Sequence, residues 1–327
     1  MLPTPPPAQI QEAPAQPFVD RDLVLPAFQG MVLKASVRAA SGHPYFAVLV
    51  ADSGPTDRNW SSPLLKDPRT GTHLSSHAGR DFSQWLQGQG LGSLRYDKRF
   101  VGSQDPRLDI SLGAQVGDLR AMLKAARVLP EAQGRRILLV GHGEGALLAL
   151  LAAKDADAVL LIGMAGQSMA KTITEQLRQR LPREGIKPDL AYLDRVFQAI
   201  REGTSVPIAN KEVHPALGSL ARSLMAPESL GFIKATLDLD PWMLASRQPI
   251  PCAMAWGDRD MQNPKPEKIP PSYLGRVIDL PGANHLLKQE YRSRSSLLGP
   301  EALLAYGDDT PLADLSPLGL WLKSFMR

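Results

Sequence analysis

The sequence predicts an α/β fold, a mostly parallel sheet flanked by helices and interrupted by a wholly helical insertion. Three observations lead there. Apolar runs of strand length at Tyr45 to Ala51, Gly90 to Tyr96, 136 to 140 and Ala158 to Ala165 alternate with helical stretches at 74 to 88, 113 to 128 and 144 to 154. That alternation is the grammar of a parallel sheet covered on both faces. From about 167 to 246 the pattern turns entirely helical, and strand grammar then resumes at Cys252 to Trp256 and Val277 to Leu280.

Each element has a local reason. Residues 1 to 20 are proline-rich and nearly free of large apolar side chains, which predicts an extended tail. Asp22 to Ala27 and Met31 to Ala39 read as an antiparallel edge pair, and Tyr45 to Ala51 as a strand buried on both faces. Phe82, Trp85 and Leu86 mark the apolar side of the first helix. The segment 144 to 154 is rich in Ala and Leu, as a buried helix is. Helices at Lys171 to Leu181, Leu190 to Glu202 and Ala216 to Met225 fill the insertion, and a last helix near Pro317 to Met326 carries Leu318, Leu320, Trp321, Leu322 and Phe325. The domain reading is therefore a tail at 1–20, a core made of 21–166 and 247–327, and a helical cap at 167–246. No internal repeat is visible.

Composition narrows the function classes. The 327 residues carry 37 basic and 33 acidic side chains, a formal net charge of +4, with no basic block to track phosphates or anionic lipid, so nucleic acid is not the expected partner. The single cysteine, Cys252, sits in the apolar run Pro-Cys-Ala-Met-Ala-Trp; it has no partner for an intramolecular disulfide and reads as core filling. No apolar stretch reaches the roughly 20 residues of a spanning helix, and the N-terminus has no basic and apolar leader pattern. The expectation is a soluble, cytoplasmic chain, or an exported one if a signal is missing from the sequence.

Four ordered segments carry the chemistry: Ala51-Asp52-Ser53-Gly54-Pro55-Thr56-Asp57-Arg58; Arg95-Tyr96-Asp97-Lys98-Arg99; Gly141-His142-Gly143-Glu144-Gly145 after a buried strand; and Gly257-Asp258-Arg259-Asp260 with Pro281-Gly282-Ala283-Asn284-His285. Together they resemble the α/β-hydrolase superfamily, in particular a bacterial serine esterase group with a GSGPTDRDGN-like segment after the third strand. The resemblance implies a carboxylic ester hydrolase scaffold with no cofactor and a small ester-like or apolar ligand. It also implies roles by position. Gly143 stands where the G-x-S-x-G elbow presents its serine, Asp260 and His285 follow in the Ser, Asp, His order of that fold, and Asp258 is a competing acid. The oxyanion would rest on the amide of Glu144 and one from the loop near Asp52 and Ser53.

The departures from that pattern gather in one place. Gly143 suits the strained elbow backbone but supplies no attacking oxygen. Asp52 replaces the glycine that opens the oxyanion loop and would set a carboxylate near a pocket meant for developing negative charge. Asn59-Trp60 replaces an Asp-Gly pair, and Phe100 replaces a glycine. Several departures around one site point to natural divergence more than to a single engineered knockout. Asp57 and Arg58 are expected to brace their loop, and His142 to pack beneath the elbow. His73 and His77 have the i, i+4 spacing of metal ligands without a third ligand, and no metal site is expected. Losing the serine also creates a match to a dinucleotide fingerprint, Gly141-x-Gly143-x-x-Ala146, but the next strand ends Ile162-Gly163-Met164-Ala165-Gly166 without the acid that would hold a ribose.

Three functional readings follow: a pseudo-hydrolase that binds a small ligand, a silenced esterase, or a slow hydrolase in which His285, oriented by Asp260, activates a water in the space left by the serine. Oligomeric state is not legible.

Overall fold

A computed structural model of the chain describes residues 19–326 apart from positions 64, 104, 106, 188, 208, 210–212, 299 and 308–309. The expected tail lies outside the described residues up to 18. Asp20, at its far end, is already part of the fold and pairs with Arg38 and Arg95.

Among the described residues eight strands form one sheet: β1 (Arg21–Pro26), β2 (Val32–Arg38), β3 (Tyr45–Val50), β4 (Ser93–Tyr96), β5 (Arg136–His142), β6 (Ala158–Ile162), β7 (Cys252–Gly257) and β8 (Arg276–Leu280). Their spatial order is β1-β2-β4-β3-β5-β6-β7-β8. The pairs β1/β2 and β2/β4 are antiparallel, and every pairing from β4 through β3, β5, β6 and β7 to β8 is parallel. All residues of β3, β6 and β7 are buried, which is why they read as continuous apolar runs without alternation. This is the predicted α/β architecture, a mostly parallel sheet flanked by helices.

Helices cover both faces. On one, α2 (Leu112–Val128) and α3 (Glu144–Ala152) bury Leu119, Met122 and Leu148 against the strands. On the other, α1 (Ala78–Gly88) and the C-terminal α9 (Ser316–Lys323) bury Phe82, Leu86, Leu318 and Leu322. Between β6 and β7 lie α4 (Met169–Arg180), α5 (Leu190–Glu202), α6 (Pro215–Leu224), α7 (Pro227–Thr236) and α8 (Pro241–Ser246); the first four share a core of their own around Leu193, Val196, Phe197, Ile200 and Leu217, whereas α8 packs Trp242 and Ala245 into the core of the sheet. The last two were not expected. Each begins with a proline, Pro227 and Pro241, at a position where the missing N–H costs nothing. Elsewhere the differences are at ends: α1 starts at Ala78, after 74; β4 starts at Ser93, after Gly90; and β6 stops at Ile162, before Ala165, because Gly163 turns the chain with φ +56°.

Parallel strands put their C-terminal ends along one edge, the usual place for a ligand in such sheets. The residues that follow β3, β5, β7 and β8 are therefore brought together there. One buried ion pair fixes the loop after β4: Arg99 Nε lies 2.6 Å from Asp118 Oδ2 and its Nη2 lies 2.8 Å from Oδ1 on α2. Both side chains are buried. Removing the guanidinium leaves a buried carboxylate uncompensated, so Arg99→Ala is expected to lower stability by about 3–5 kcal/mol. A urea titration of Arg99→Ala beside Arg99→Met/Asp118→Leu checks this, with the double variant expected to recover most of the loss.

Candidate active site

The elbow is set by its glycines. Gly143 sits at φ +56°, ψ −121°, at the N-terminus of α3. A side chain at Gly145 would run into the carbonyls of Val50 and Ala51, so β3 and α3 approach more closely than any Cβ allows. The register Val50 opposite Gly141 carries Asp52 to the level of Gly143 two residues later.

There the Asp52 carboxylate takes the space that a side chain on residue 143 would fill. A Cβ built on Gly143 would lie 2.8 Å from Asp52 Oδ2 and far closer to Oδ1 and Cγ, so a side chain there would force the carboxylate to move. Asp52 Oδ1 accepts the Glu144 amide at 2.7 Å, the hydrogen bond predicted for an oxyanion. Oδ2 lies 3.0 Å from His285 Nε2 and accepts the Gln262 side-chain amide at 3.2 Å. His285 Nδ1 in turn lies 2.8 Å from Asp260 Oδ2, while Asp260 Oδ1 accepts the backbone amides of Gln262 and Asn263 at 2.9 and 2.8 Å. The side chains of His285 and Asp260 are each 1% exposed and that of Asp52 is 13% exposed. Asp52 is the member that meets solvent.

The structure thus brings Asp52, Gly143, Glu144, Asp260 and His285 together. Asp258, the competing acid, is exposed and accepts the Gly282 amide at 2.7 Å. Ser53 lines the cavity described below, and its carbonyl accepts the Thr56 hydroxyl at 2.7 Å. Arg58 is not among the residues that line that cavity and is paired instead with Asp97: its Nη1 lies 3.0 Å from Asp97 Oδ2 and its backbone amide donates to Oδ1 at 2.8 Å. Asp57 Oδ1 accepts the amides of Asn59 and Ser61, so both residues brace the loop. His142 is fully buried under the elbow, stacked on Trp60 with ring centroids 4.3 Å apart, and its Nε2 donates to the His285 carbonyl at 2.8 Å. Trp60 occupies one of the departures noted above and adopts φ +62° to make that stack. Gln262 and Asn263 were not singled out from the sequence, and only their position just after Asp260 hinted at them.

A cavity of about 240 Å³ opens on Asp52. Its walls are Leu147 from α3, Met164 after β6, Met169, Thr172 and Gln176 from α4, and Leu239 and Pro241 near α8, among others. The wall is apolar with a few amides and hydroxyls, and the Gln176 side chain is anchored to the Gln262 carbonyl at 2.8 Å. Glu144, at the mouth, is paired with the buried Lys98 at 3.1 Å.

The charges compensate one another. Burial alone would keep His285 neutral, but the carboxylates of Asp260 and Asp52 outweigh it and push the ring up to about 10. Burial alone would raise Asp52, yet His285 and the Glu144 amide hold it well below the usual carboxylate range. Burial and the adjacent His285 push His142 down to about 4. Among the described residues, Asp52, His142 and His285 hold ligand-type atoms within 4.8 Å of one another. Their charges are already matched, since Asp52 and His285 pair with each other and His142 spends Nε2 on a carbonyl. A cation there would have to displace that pair.

The ion pair sets a pH window for stability. His285 is raised on folding, so its contribution is complete below the ordinary histidine value of 6.5 and fades as pH climbs toward 10. Asp52 is lowered, so its contribution is present above the ordinary carboxylate value of 3.8 and is lost as pH falls below it. The gap in melting temperature between wild type and Asp52→Asn is therefore expected to be widest between about pH 4 and 6.5 and to shrink on both sides, measured by calorimetry across pH 3 to 10.

A scan of the sequence against protein-family models finds no match, and a search of curated proteins finds none either. Solved structures do match. DcsB in complex with its substrate analogue is 15% identical, with 88% of this chain and 98% of that chain covered and a TM-score of 0.50. A hypothetical protein from Pseudomonas aeruginosa is 14% identical over 97% of this chain and 98% of its own, with a TM-score of 0.51. A thermophilic esterase from Thermogutta terrifontis, with malate bound, is 15% identical over 94% and 100%, with a TM-score of 0.48. At such identities the likeness speaks to the fold alone, a mostly parallel α/β sheet flanked by helices.

Proposed function

We propose that this chain is a small-molecule-binding α/β-hydrolase in which the serine route to ester cleavage is closed, and that residues 167–246 act as the cap over its pocket. The observation that carries the reading is the position of the Asp52 carboxylate, which fills the room of a side chain at 143 and holds the Glu144 amide that an ester oxyanion would need. In the resembling esterase group the two positions are glycine and serine; here they are Asp52 and Gly143. The glycine and the residue with a side chain have changed places, so the same space is filled from the other strand end by different chemistry.

The ligand that fits is small, apolar and not anionic. The cavity holds about 240 Å³, its wall is mostly apolar, and a carboxylate forms its floor. Cap contacts come from α4 and the approach to α8, which supply Met169, Thr172, Thr236 and Leu239. The water-activating reading is less well supported: the space it needs is occupied by Asp52, and His285 Nε2 already faces Asp52 Oδ2 at 3.0 Å.

Fluorophosphonate labelling and p-nitrophenyl butyrate turnover test this across three chains. Wild type and Gly143→Ser are expected to stay unlabelled and inactive, the latter because the new Cβ meets Asp52. Asp52→Gly/Gly143→Ser is expected to label on residue 143 and to gain turnover at least a hundredfold over wild type, the order by which a restored triad exceeds its remnant. Labelled, active wild type overturns the proposal, as does a folded double variant that remains inert.

A further inference from the structure

We propose that the cavity over Asp52 takes a small organic cation, a primary alkylammonium with a short apolar chain. This rests on the reading that the cavity binds a small molecule, and it names the class. Two observations carry it: the sign of the charge on the cavity floor, and the direction in which the surrounding side-chain amides are held.

His285 stands between two carboxylates, with Nε2 3.0 Å from Asp52 and Nδ1 2.8 Å from Asp260. Each carboxylate is partnered, yet one imidazolium serves both, so the three side chains together sum to one negative charge. Asp52 is the member of that chain that meets the cavity. Glu144, the other ionisable residue in the lining, is also an acid, and the Lys98 that pairs with it is buried behind it. Among the described residues no lysine, arginine or histidine lines the cavity. An anion there meets like charge, whereas a cation completes the balance.

The hydrogen bonds favour the same ligand. Both Asp52 oxygens are engaged, Oδ1 by the Glu144 amide and Oδ2 by His285 and Gln262, so Asp52 supplies field and the direct contacts come from its neighbours. Gln176 donates through Nε2 to the Gln262 carbonyl at 2.8 Å, Asn263 through Nδ2 to the Gly163 carbonyl at 2.9 Å, and Gln262 through Nε2 to Asp52 at 3.2 Å. Carbonyls and carboxylates only accept, so each partner fixes which end of the amide it meets. The N–H ends are spent on the protein, and Gln176 Oε1, Gln262 Oε1 and Asn263 Oδ1 make no hydrogen bond to the described residues. Glu144 likewise gives one oxygen to Lys98 and keeps the other. The hydroxyls of Thr172 and Thr236 donate to the carbonyls of Gln167 and Phe232 at 3.5 and 2.9 Å. Ser53 and Gln167 can donate or accept; the other polar side chains of the lining are left with acceptors. A primary ammonium brings three N–H donors on one charged nitrogen. Leu147, Met164 and Leu239 offer apolar surface for its chain.

Hexylammonium, hexanol, hexanoate and hexyltrimethylammonium are titrated against the wild-type chain at neutral pH by calorimetry. Hexylammonium is expected to bind about tenfold more tightly than hexanol, the worth of a hydrogen bond to a charged group, and hexanoate least tightly. Hexyltrimethylammonium has the charge without the N–H donors and is expected to fall between hexylammonium and hexanol. Thr172→Lys, which adds a cation to the wall, is expected to erase the preference for hexylammonium, and Thr172→Met to keep it. The wild-type series stands even if a variant fails to fold. Hexanol or hexanoate binding as tightly as hexylammonium overturns the proposal and leaves the binding reading intact, as does hexyltrimethylammonium binding as tightly, since the amide oxygens then have no part. A preference that survives in folded Thr172→Lys puts the amine outside the cavity and overturns the proposal. Failure of all four to bind overturns both.

Discussion

The site depends on one small volume beyond the end of β5, which accommodates either a side chain on residue 143 or a carboxylate on residue 52. The register Val50 opposite Gly141 sends both positions to the same level, and the glycines of the elbow draw β3 and α3 close enough for the two to compete. Residues far apart in the sequence are thereby coupled sterically. A change at one is not interpretable without the other, the condition under which single-site effects fail to add.

Burial of three ionisable groups in that volume is tolerable because each has its charge and hydrogen bonds answered. His285 lies between Asp260 and Asp52; Asp260 has two backbone amides on its second oxygen, and Asp52 has one at the positive end of α3. The carboxylate of Glu144, which would otherwise sit unfavourably close to Asp52, is drawn to Lys98. The Asp-Lys-Arg turn after β4 therefore does three separate things: Asp97 fixes Arg58 of the oxyanion loop, Lys98 holds Glu144, and Arg99 anchors the loop to α2. A chain partnered in this way favours one arrangement of the site, because removing any member strands a charge on another.

Much of this was legible in the residues. The strands β3, β5, β6 and β7 announced themselves as apolar runs, and Gly143, Asp260 and His285 stood at strand ends where ordered motifs placed them. The carboxylate of Asp52 was recognised as foreign to an oxyanion pocket, but its destination was not. That destination depends on the register between β3 and β5, on the absence of a Cβ at 143, and on the amide of Glu144 pointing at the gap; none of these is local to Asp52. The helices α7 and α8 were missed for a plainer reason, since a proline at the first helical position looks in sequence like one that ends a helix. Gln262 and Asn263 had no signal beyond their nearness to Asp260, because what they contribute is mostly backbone.

A carboxylate at 52 facing a glycine at 143 also leaves the Glu144 amide occupied. Serine chemistry uses the Glu144 amide at its first step, when an acyl oxygen becomes negative, and a carboxylate parked on that amide blocks the step outright. The histidine is tied up in the same way: held between Asp260 and Asp52, His285 favours its protonated form, in which both ring nitrogens donate and neither is free to take a proton. The contacts that neutralise the buried charges are therefore the same contacts that occupy the amide and the imidazole a serine route would use.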